Sequence, residues 1–169
     1  MLRISDARID GFIAEDVPYV DLTCAVLGIG DEPGEMVYFT REDCVLAGTE
    51  VVRRIMGKLG CEVVSAEPSG ARVAAGGTFM TVRGTSADLH AAWKVCLNGF
   101  DHCSAVATKT RSMVDAAHGA NPRCEVLTTR KKMCIRDSPT SGNPIWYTER
   151  LKSSLHTSIV ARVSMAASR

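Results

Sequence analysis

SADLHAAWKVCLNGFDHCSAVATKTRSMVDAAHG (residues 86–119) is the longest stretch of the chain with a helical pattern. Its apolar residues recur at helical spacing, Ser86 opens it, and Gly119 and Asn121-Pro122 stop it. We predict that the region breaks near residues 101–104 into two helices. Because several short strands are predicted before these helices, the order of elements favours an α+β fold.

Shorter elements are predicted on the N-terminal side of this region. Ser5 can cap a first helix, and turn formers dominate residues 15–34, which we predict as a loop. Thr49 is predicted to cap a helix that ends at Gly60. Strands are predicted at residues 35–41 and 61–66 and on either side of Gly76-Gly77.

Composition excludes several classes of protein. The 169 residues carry a net charge of +1, which offers no field to attract nucleic acid or an anionic membrane. No run of about 18 apolar residues suggests a membrane span, and the N-terminus lacks a signal-peptide pattern. The seven cysteines form no CxxC pair, so we expect reduced thiols and no zinc site. The sequence therefore predicts a cytoplasmic protein with neither a nucleic-acid nor a membrane partner.

Two basic residues lie just beyond the C-terminal end of a strand predicted at residues 124–128. Ligands of parallel α/β folds lie at the carboxyl ends of strands. Arg130 offers a planar fork for carboxylate or phosphate, and Lys131 adds a compact charge beside it. This pair predicts a site for an anionic small molecule, and a solvated basic turn is the alternative.

Other candidate residues have structural alternatives. Lys94 follows Trp93 in an amphipathic helix, where a surface lysine lying along an apolar stem is the alternative. Glu15, Asp16 and Asp21 could form a carboxylate site, although such residues more often brace a loop.

Four stretches resemble one family in order and spacing. They are EDVPYVDLT (15–23), FTREDCVLAGTE (39–50), WKVCLNGFDHCSAVATKT (93–110) and VLTTRK (126–131). Together they resemble quinolinate phosphoribosyltransferase, or nicotinate-nucleotide pyrophosphorylase (carboxylating), and within that family the molybdenum-utilisation branch, ModD. The resemblance implies an N-terminal α/β sandwich domain, then an α/β barrel, in a homodimer whose N-terminal domains face the partner's barrel.

The resemblance also implies an activity in NAD biosynthesis. Such enzymes use magnesium to join quinolinate to phosphoribosyl pyrophosphate, and they release pyrophosphate and carbon dioxide. Arg130 and Lys131 fall where the family grips substrate anions, and Lys94 falls where an arginine contacts the substrate carboxylate. Lysine cannot make that bidentate contact, and this departure fits the ModD branch of the family. No residue of this chain is assigned a catalytic or metal-binding role, and we expect no magnesium on this fragment.

The chain changes character after Lys132. Residues 133–169 contain 5 Lys+Arg, 2 Asp+Glu and 7 serines. MCIRDS back-translates to ATG-TGT-ATA-AGA-GAC-AG, which resembles a transposase adapter used in sequencing libraries. We therefore predict a sandwich domain at residues 1–103, only the first helix and strand of a barrel at 104–132, and a non-native or disordered tail at 133–169.

These observations predict a truncated phosphoribosyltransferase. In intact form it would transfer phosphoribosyl to a pyridine carboxylate such as quinolinate, and this chain itself is predicted to be inactive. Two alternatives remain at this point. One is a non-catalytic ligand-binding or molybdenum-utilisation accessory module, and the other is a small structural domain with a disordered tail.

Overall fold

The computed structural model describes residues 4–17, 22–124, 126 and 159–165. In chain order the elements are α1 (Asp6–Asp16), α2 (Leu22–Leu27), β1 (Pro33–Thr40), β2 (Cys44–Val45), α3 (Thr49–Lys58), β3 (Glu62–Ala66), β4 (Arg72–Val73), β5 (Thr78–Thr85), α4 (Ser86–Ala120) and β6 (Ile159–Met165). The predicted α+β class is confirmed, because an antiparallel sheet is packed against helices in two layers.

The main sheet has four antiparallel strands in the order β3-β5-β1-β6, and β2 and β4 form a separate two-stranded sheet. The two strands predicted around Gly76-Gly77 therefore exist but belong to different sheets. In β1 the side chains of Met36, Tyr38 and Thr40 are buried and their neighbours are not, as alternation predicts. This buried row faces the helical layer.

A register shift places an extra aromatic side chain in the core. The pairing of β1 with β5 shifts between Tyr38 and Phe39, so that Phe79 and Met80 are both buried although they are consecutive. The Phe79 ring lies 5.0 Å from that of Phe100 on α4, and Tyr38 lies 5.5 Å from Phe100. The irregularity thus joins the sheet to the longest helix.

Several local predictions are confirmed and others are wrong. Ser5 caps α1, since its hydroxyl oxygen accepts a hydrogen bond from the backbone N–H of Arg8. The cap of α3 is Gly48 rather than Thr49, whose hydroxyl instead donates to the Glu67 carbonyl at 3.0 Å. The loop predicted at residues 15–34 contains the short helix α2 and the start of β1.

The predicted break in the long helical region is wrong. Helix α4 runs for 35 residues without interruption and ends at Ala120, just before Asn121 as predicted. The buried side chains of Phe100, Ser104 and Ala105 continue one face of the helix through the expected break. Packing against the sheet therefore supports a helix where local sequence signals favoured a turn.

Two predictions concern regions that the structure describes only in part. The strand predicted at residues 124–128 lies mostly outside the described residues. In the segment predicted as a non-native or disordered tail, Ile159–Met165 form strand β6. The domain boundaries at 103/104 and 132/133 stay predictions. In the part of the chain that is described, no helix combines the length and apolarity needed to cross a bilayer.

Candidate functional site

Lys94 lies on the solvent side of α4, on a helical turn that is held by contacts of the residues around it. The Tyr38 hydroxyl donates to the Trp93 carbonyl at 3.4 Å, and the His90 ring stacks on the Trp93 ring with centroids 6.2 Å apart. Lys94 itself is exposed. Among the described residues no carboxylate forms an ion pair with its ammonium group. The turn thus presents an uncompensated positive charge on an ordered helix.

A cavity of about 380 Å³ opens between α1, α3 and α4. Most of its lining is apolar, with Phe12 from α1 and Val95 from α4 among the contributors. The polar groups that line it are Glu15, Asp16, Asn98 and His102. Since Asn98 lies one helical turn after Lys94, the lysine stands next to the side of α4 that bounds the cavity.

Close approach of α3 to α4 depends on Gly48, which caps α3. Gly48 has a φ of +98°, and a Cβ atom there would lie 3.3 Å from the Cβ of Cys103. The left-handed conformation and the short distance both favour glycine. A larger residue at position 48 would push α3 away from the cavity wall on α4.

Hydrogen bonds from α4 fix the chain that leads into α3. The backbone N–H of Val45 donates to the Thr108 hydroxyl at 2.9 Å, and that of Ala47 donates to the Ser104 hydroxyl at 3.0 Å. The Ser104 hydroxyl also donates to the Ala47 carbonyl at 3.4 Å. These bonds satisfy backbone groups on the side of this segment that faces α4.

Ser69 secures the first turn of α3 from the opposite side. Its hydroxyl oxygen accepts from the N–H groups of Gly48 and Thr49 at 3.1 and 3.3 Å, and the hydroxyl donates to the Glu50 carboxylate at 2.6 Å. This last bond holds the pKa of Glu50 below its ordinary value. The wall of the cavity is therefore set by side chains from two distant parts of the sequence.

The thiols near the core are poor nucleophiles. Burial raises the pKa of Cys103, which lines the cavity, and it raises the pKa of Cys61 to about 11. Burial also raises the pKa values of Cys96 and Tyr38 well above their ordinary ranges. Because the thiolate is the reactive form, these three thiols are not activated at neutral pH. Among its described lining residues, the cavity therefore offers no activated thiol.

The predicted carboxylate site is only partly described. Glu15 and Asp16 line the cavity at the C-terminal end of α1, where the helix dipole disfavours negative charge, and Asp21 lies outside the described residues. Neither described carboxylate braces a loop through a hydrogen bond to another described residue. Within the same residues, no three His, Cys, Asp or Glu side chains form a group able to hold a metal ion.

Of the three residues of the predicted anion site, the structure describes one. Lys94 is exposed on α4, whereas Arg130 and Lys131 lie outside the described residues. The expectation that these three cations share a substrate stays a prediction. Sequence reasoning missed the cavity, because its lining comes from three helices. One signal in the sequence was the pair of glycines Gly48 and Gly99. Gly48 caps α3 and Gly99 lies within α4, and glycines at such positions let two helices come close together.

Comparison with known proteins identifies the class of this fold. Residues 21–104 match the family described as "Quinolinate phosphoribosyl transferase, N-terminal domain". Solved structures agree on the fold: NadC from Streptococcus pyogenes aligns with a TM-score of 0.70 and 20% identity, over 94% of this chain and 55% of that one. Through this domain, the chain belongs to the quinolinate phosphoribosyl transferase family.

Two individual proteins show which members of this family the chain is similar to. The ModD protein of Rhodobacter capsulatus is 36% identical over 133 residues, which are 79% of this chain and 51% of that protein. Human nicotinate-nucleotide pyrophosphorylase (carboxylating) is 30% identical over 125 residues, or 74% of this chain and 41% of the human protein. This chain therefore spans about half the length of the ModD relative that it matches.

Proposed function

We propose that this chain provides the N-terminal domain of a phosphoribosyltransferase. In intact form the enzyme would transfer phosphoribosyl from phosphoribosyl pyrophosphate to a pyridine carboxylate such as quinolinate and release pyrophosphate. The family match over residues 21–104 and the similarity to ModD and to nicotinate-nucleotide pyrophosphorylase support this reaction class. A non-catalytic accessory role has no observation in its favour.

The observation that carries the proposal is the uncompensated charge of Lys94. A pyridine carboxylate and a phosphoribosyl donor are both anions, so a site that brings them together must supply cations. Lys94 lies on a helix turn held by the bond from Tyr38 to the Trp93 carbonyl, which fixes the backbone from which its side chain extends. We assign Lys94 a contact with the acceptor carboxylate, together with Arg130 and Lys131 on the anions of the two substrates.

A lysine rather than an arginine at position 94 affects how the site would select its acceptor. Lysine is a point charge, whereas arginine offers two parallel donors to one carboxylate. Lys94 would therefore attract an anionic ring without fixing its orientation as strongly as arginine does. Under this proposal the acceptor carries at least one carboxylate, and other parts of the protein determine its orientation.

Assembly and metal requirements are also part of the proposal. Since Lys94 faces solvent, it can contribute to a site only if another surface covers it, and a homodimer would place a partner's barrel there. The described residues offer no group of three metal ligands for the magnesium that the family resemblance implies. We assign none of them to that ion.

Steady-state release of pyrophosphate tests the proposal. The product of the complete gene is assayed with phosphoribosyl pyrophosphate and quinolinate or related pyridine carboxylates, beside the 169-residue chain, which we expect to be inactive. Lys94→Met should raise KM for the acceptor about tenfold or more, because a charge-assisted hydrogen bond contributes about 1.5–3 kcal/mol. Lys94→Arg should retain most of the affinity.

Lys109→Met is the matched control, since Lys109 is an exposed lysine on the same helix. Equal KM values for the Lys94→Met and Lys109→Met variants would show that Lys94 does not contact the acceptor. Absence of pyrophosphate release with every pyridine carboxylate would exclude the transferase itself.

A further inference from the structure

The cavity between α1, α3 and α4 has an apolar floor that belongs to the core. Its volume of about 380 Å³ lies within the range of about 300–1,000 Å³ that small-molecule pockets occupy. Val52 and Ile55 of α3 and Val95 of α4 line it, and each of these side chains is buried in the core cluster. The folded domain therefore offers apolar contacts to a ligand without rearranging its core.

Gly99 leaves part of this cavity open. It lies inside α4, and a Cβ atom there would meet Val52 Cγ2 at 4.0 Å, which is an ordinary contact. A methyl group would thus fit, and alanine is more favourable than glycine inside a helix. A longer side chain would extend toward the cavity that Gly99 lines. The glycine therefore keeps space free at some cost to the helix.

Polar contacts tie the wall formed by α1 to α3. The Arg54 guanidinium donates to the Ile4 carbonyl at 2.7 Å and to the Asp6 carboxylate at 2.6 Å. Lys58 pairs with Asp10 at 2.7 Å, one turn further along α1. Ile4 itself lines the cavity. These contacts position α1 as one wall of the cavity.

The C-terminal end of α1 makes one part of the cavity electronegative. Glu15 and Asp16 line the cavity there, and the last turn of α1 contains no basic residue. The negative pole of the helix dipole lies at the same end, so both carboxylates are placed where negative charge is disfavoured. Among the described residues no lysine or arginine lines the cavity, and none forms an ion pair with either carboxylate. A bound cation would offset this accumulation of negative charge.

Phe12 places an aromatic ring beside these carboxylates. Helical positions three and four residues apart lie on one face with Cβ atoms about 5–6 Å apart, so Phe12 is a neighbour of both Glu15 and Asp16. The Phe12 ring lines the cavity, and the Arg8 guanidinium lies over it at 5.1 Å. A ligand ring packed against Phe12 would bring an ammonium group two carbon atoms away within reach of a carboxylate.

We propose that this cavity is a binding site for an organic cation with an apolar body of one or two aromatic rings. The rings pack against Phe12 and the apolar floor, and the ammonium group donates charge-assisted hydrogen bonds to Glu15 and Asp16. This ligand is neither of the anions assigned to the transferase reaction, and Lys94, which is assigned to them, does not line the cavity. The cation site is therefore independent of that reaction.

Three probes that differ in charge test this preference. They are 2-(2-naphthyl)ethylammonium, 2-(2-naphthyl)ethanol and 3-(2-naphthyl)propanoate, each titrated into the 169-residue chain by isothermal titration calorimetry. The ammonium probe should bind about tenfold more tightly than the alcohol, because a charge-assisted hydrogen bond is about twice as strong as a neutral one. The propanoate should bind more weakly than the alcohol. Equal affinities for the three probes, tighter binding of the propanoate, or no binding of any probe would overturn the proposal.

Removal of the two carboxylates tests where the ammonium group binds. Glu15→Gln combined with Asp16→Asn keeps the side-chain shapes and removes charges that the helix dipole disfavours, so this variant should remain folded. It should lose affinity for the ammonium probe about tenfold and keep its affinity for the alcohol.

Asp31→Asn combined with Glu32→Gln is the matched control. This consecutive acidic pair is exposed and does not line the cavity. Its removal changes the net charge by the same amount and should alter the affinity for the ammonium probe about twofold at most. Equal losses in the two double variants would mean that the probe responds to overall charge, which would overturn the proposal.

Filling the cavity tests its location. Gly99→Leu favours the helix and adds a side chain toward the cavity, so it should weaken binding of both the ammonium probe and the alcohol about tenfold. Circular dichroism verifies that each variant is folded, and the carboxylate variants decide if Gly99→Leu is not. Unchanged affinities of folded Gly99→Leu would place the probes elsewhere and overturn the proposal. Wild-type affinity that falls as protein concentration rises would mean that a second copy covers the cavity, which would also overturn it.

Discussion

Helix α4 is one continuous element in two different environments. Its buried residues all lie in the first twenty positions, Ser86–Ala105, where the helix crosses the sheet and contacts α1 and α3. From Val106 to Ala120 no residue is buried, and Val106 and Met113 are 45% and 57% exposed. Burial therefore stops within the helix although the backbone hydrogen bonds continue.

The difference shows that helix length and core boundary are set by different forces. Backbone hydrogen bonding propagates a helix once it is nucleated, whereas burial requires an opposing apolar surface. In the second half, the polar side-chain contacts to the rest of the described chain come from the Thr108 hydroxyl and from an ion pair of Asp115 with Arg72. The second half should therefore contribute little to the free energy of unfolding.

The largest expected contrast comes from removing one apolar side chain in each half. Phe100→Ala removes a fully buried ring that contacts both Tyr38 and Phe79, and it should lower the free energy of unfolding by about 3–5 kcal/mol. Met113→Ala should change it by about 0.5 kcal/mol or less. Urea denaturation followed by circular dichroism measures both values, and similar losses would contradict the comparison.

The next contrast concerns a serine in each half. Ser104→Ala removes a fully buried hydroxyl and leaves the half-buried backbone N–H of Ala47 without its hydrogen-bond acceptor, which should cost about 1–3 kcal/mol. Ser112→Ala, at an exposed position of the second half, should be neutral within about 0.5 kcal/mol. The same denaturation experiment measures both. If Ser104→Ala were also neutral, the Ala47 segment would not be held by α4.

Local sequence signals predicted much of this fold. The cap at Ser5, the alternation in β1 and the stop at Asn121 each depend on a few neighbouring residues, so each could be recognised in the sequence. The continuity of α4 could not be, because Ser104 has a low helix propensity and is retained in the helix by its bonds to Ala47.

Non-local pairing limited the rest of the prediction. Strand β6 joins β1 across more than a hundred residues, and no local pattern reveals which edge a remote strand will occupy. Composition predicts a non-native or disordered tail at residues 133–169, and no local pattern there indicates the strand at Ile159–Met165. In the candidate site, the exposure of Lys94 follows from helical periodicity. The cavity depends on the meeting of three helices, and the sequence offers only an indirect signal of it in Gly48 and Gly99.

The smallest expected effect would sharpen the comparison inside the second half of α4. Asp115 pairs with Arg111 four residues earlier at 2.9 Å and with Arg72 of β4 at 3.5 Å, and all three side chains are about half exposed or more. Such pairs contribute about 0.2–1 kcal/mol, and salt weakens them. A double-mutant cycle with Asp115→Asn and Arg72→Gln should therefore give a coupling energy below about 1 kcal/mol that vanishes in about 1 M sodium chloride.

A larger coupling that resists salt would mean that the pair is shielded from water. The second half of α4 would then be docked as firmly as the first, and exposure of its side chains would be a poor guide to which part of the helix holds the domain together.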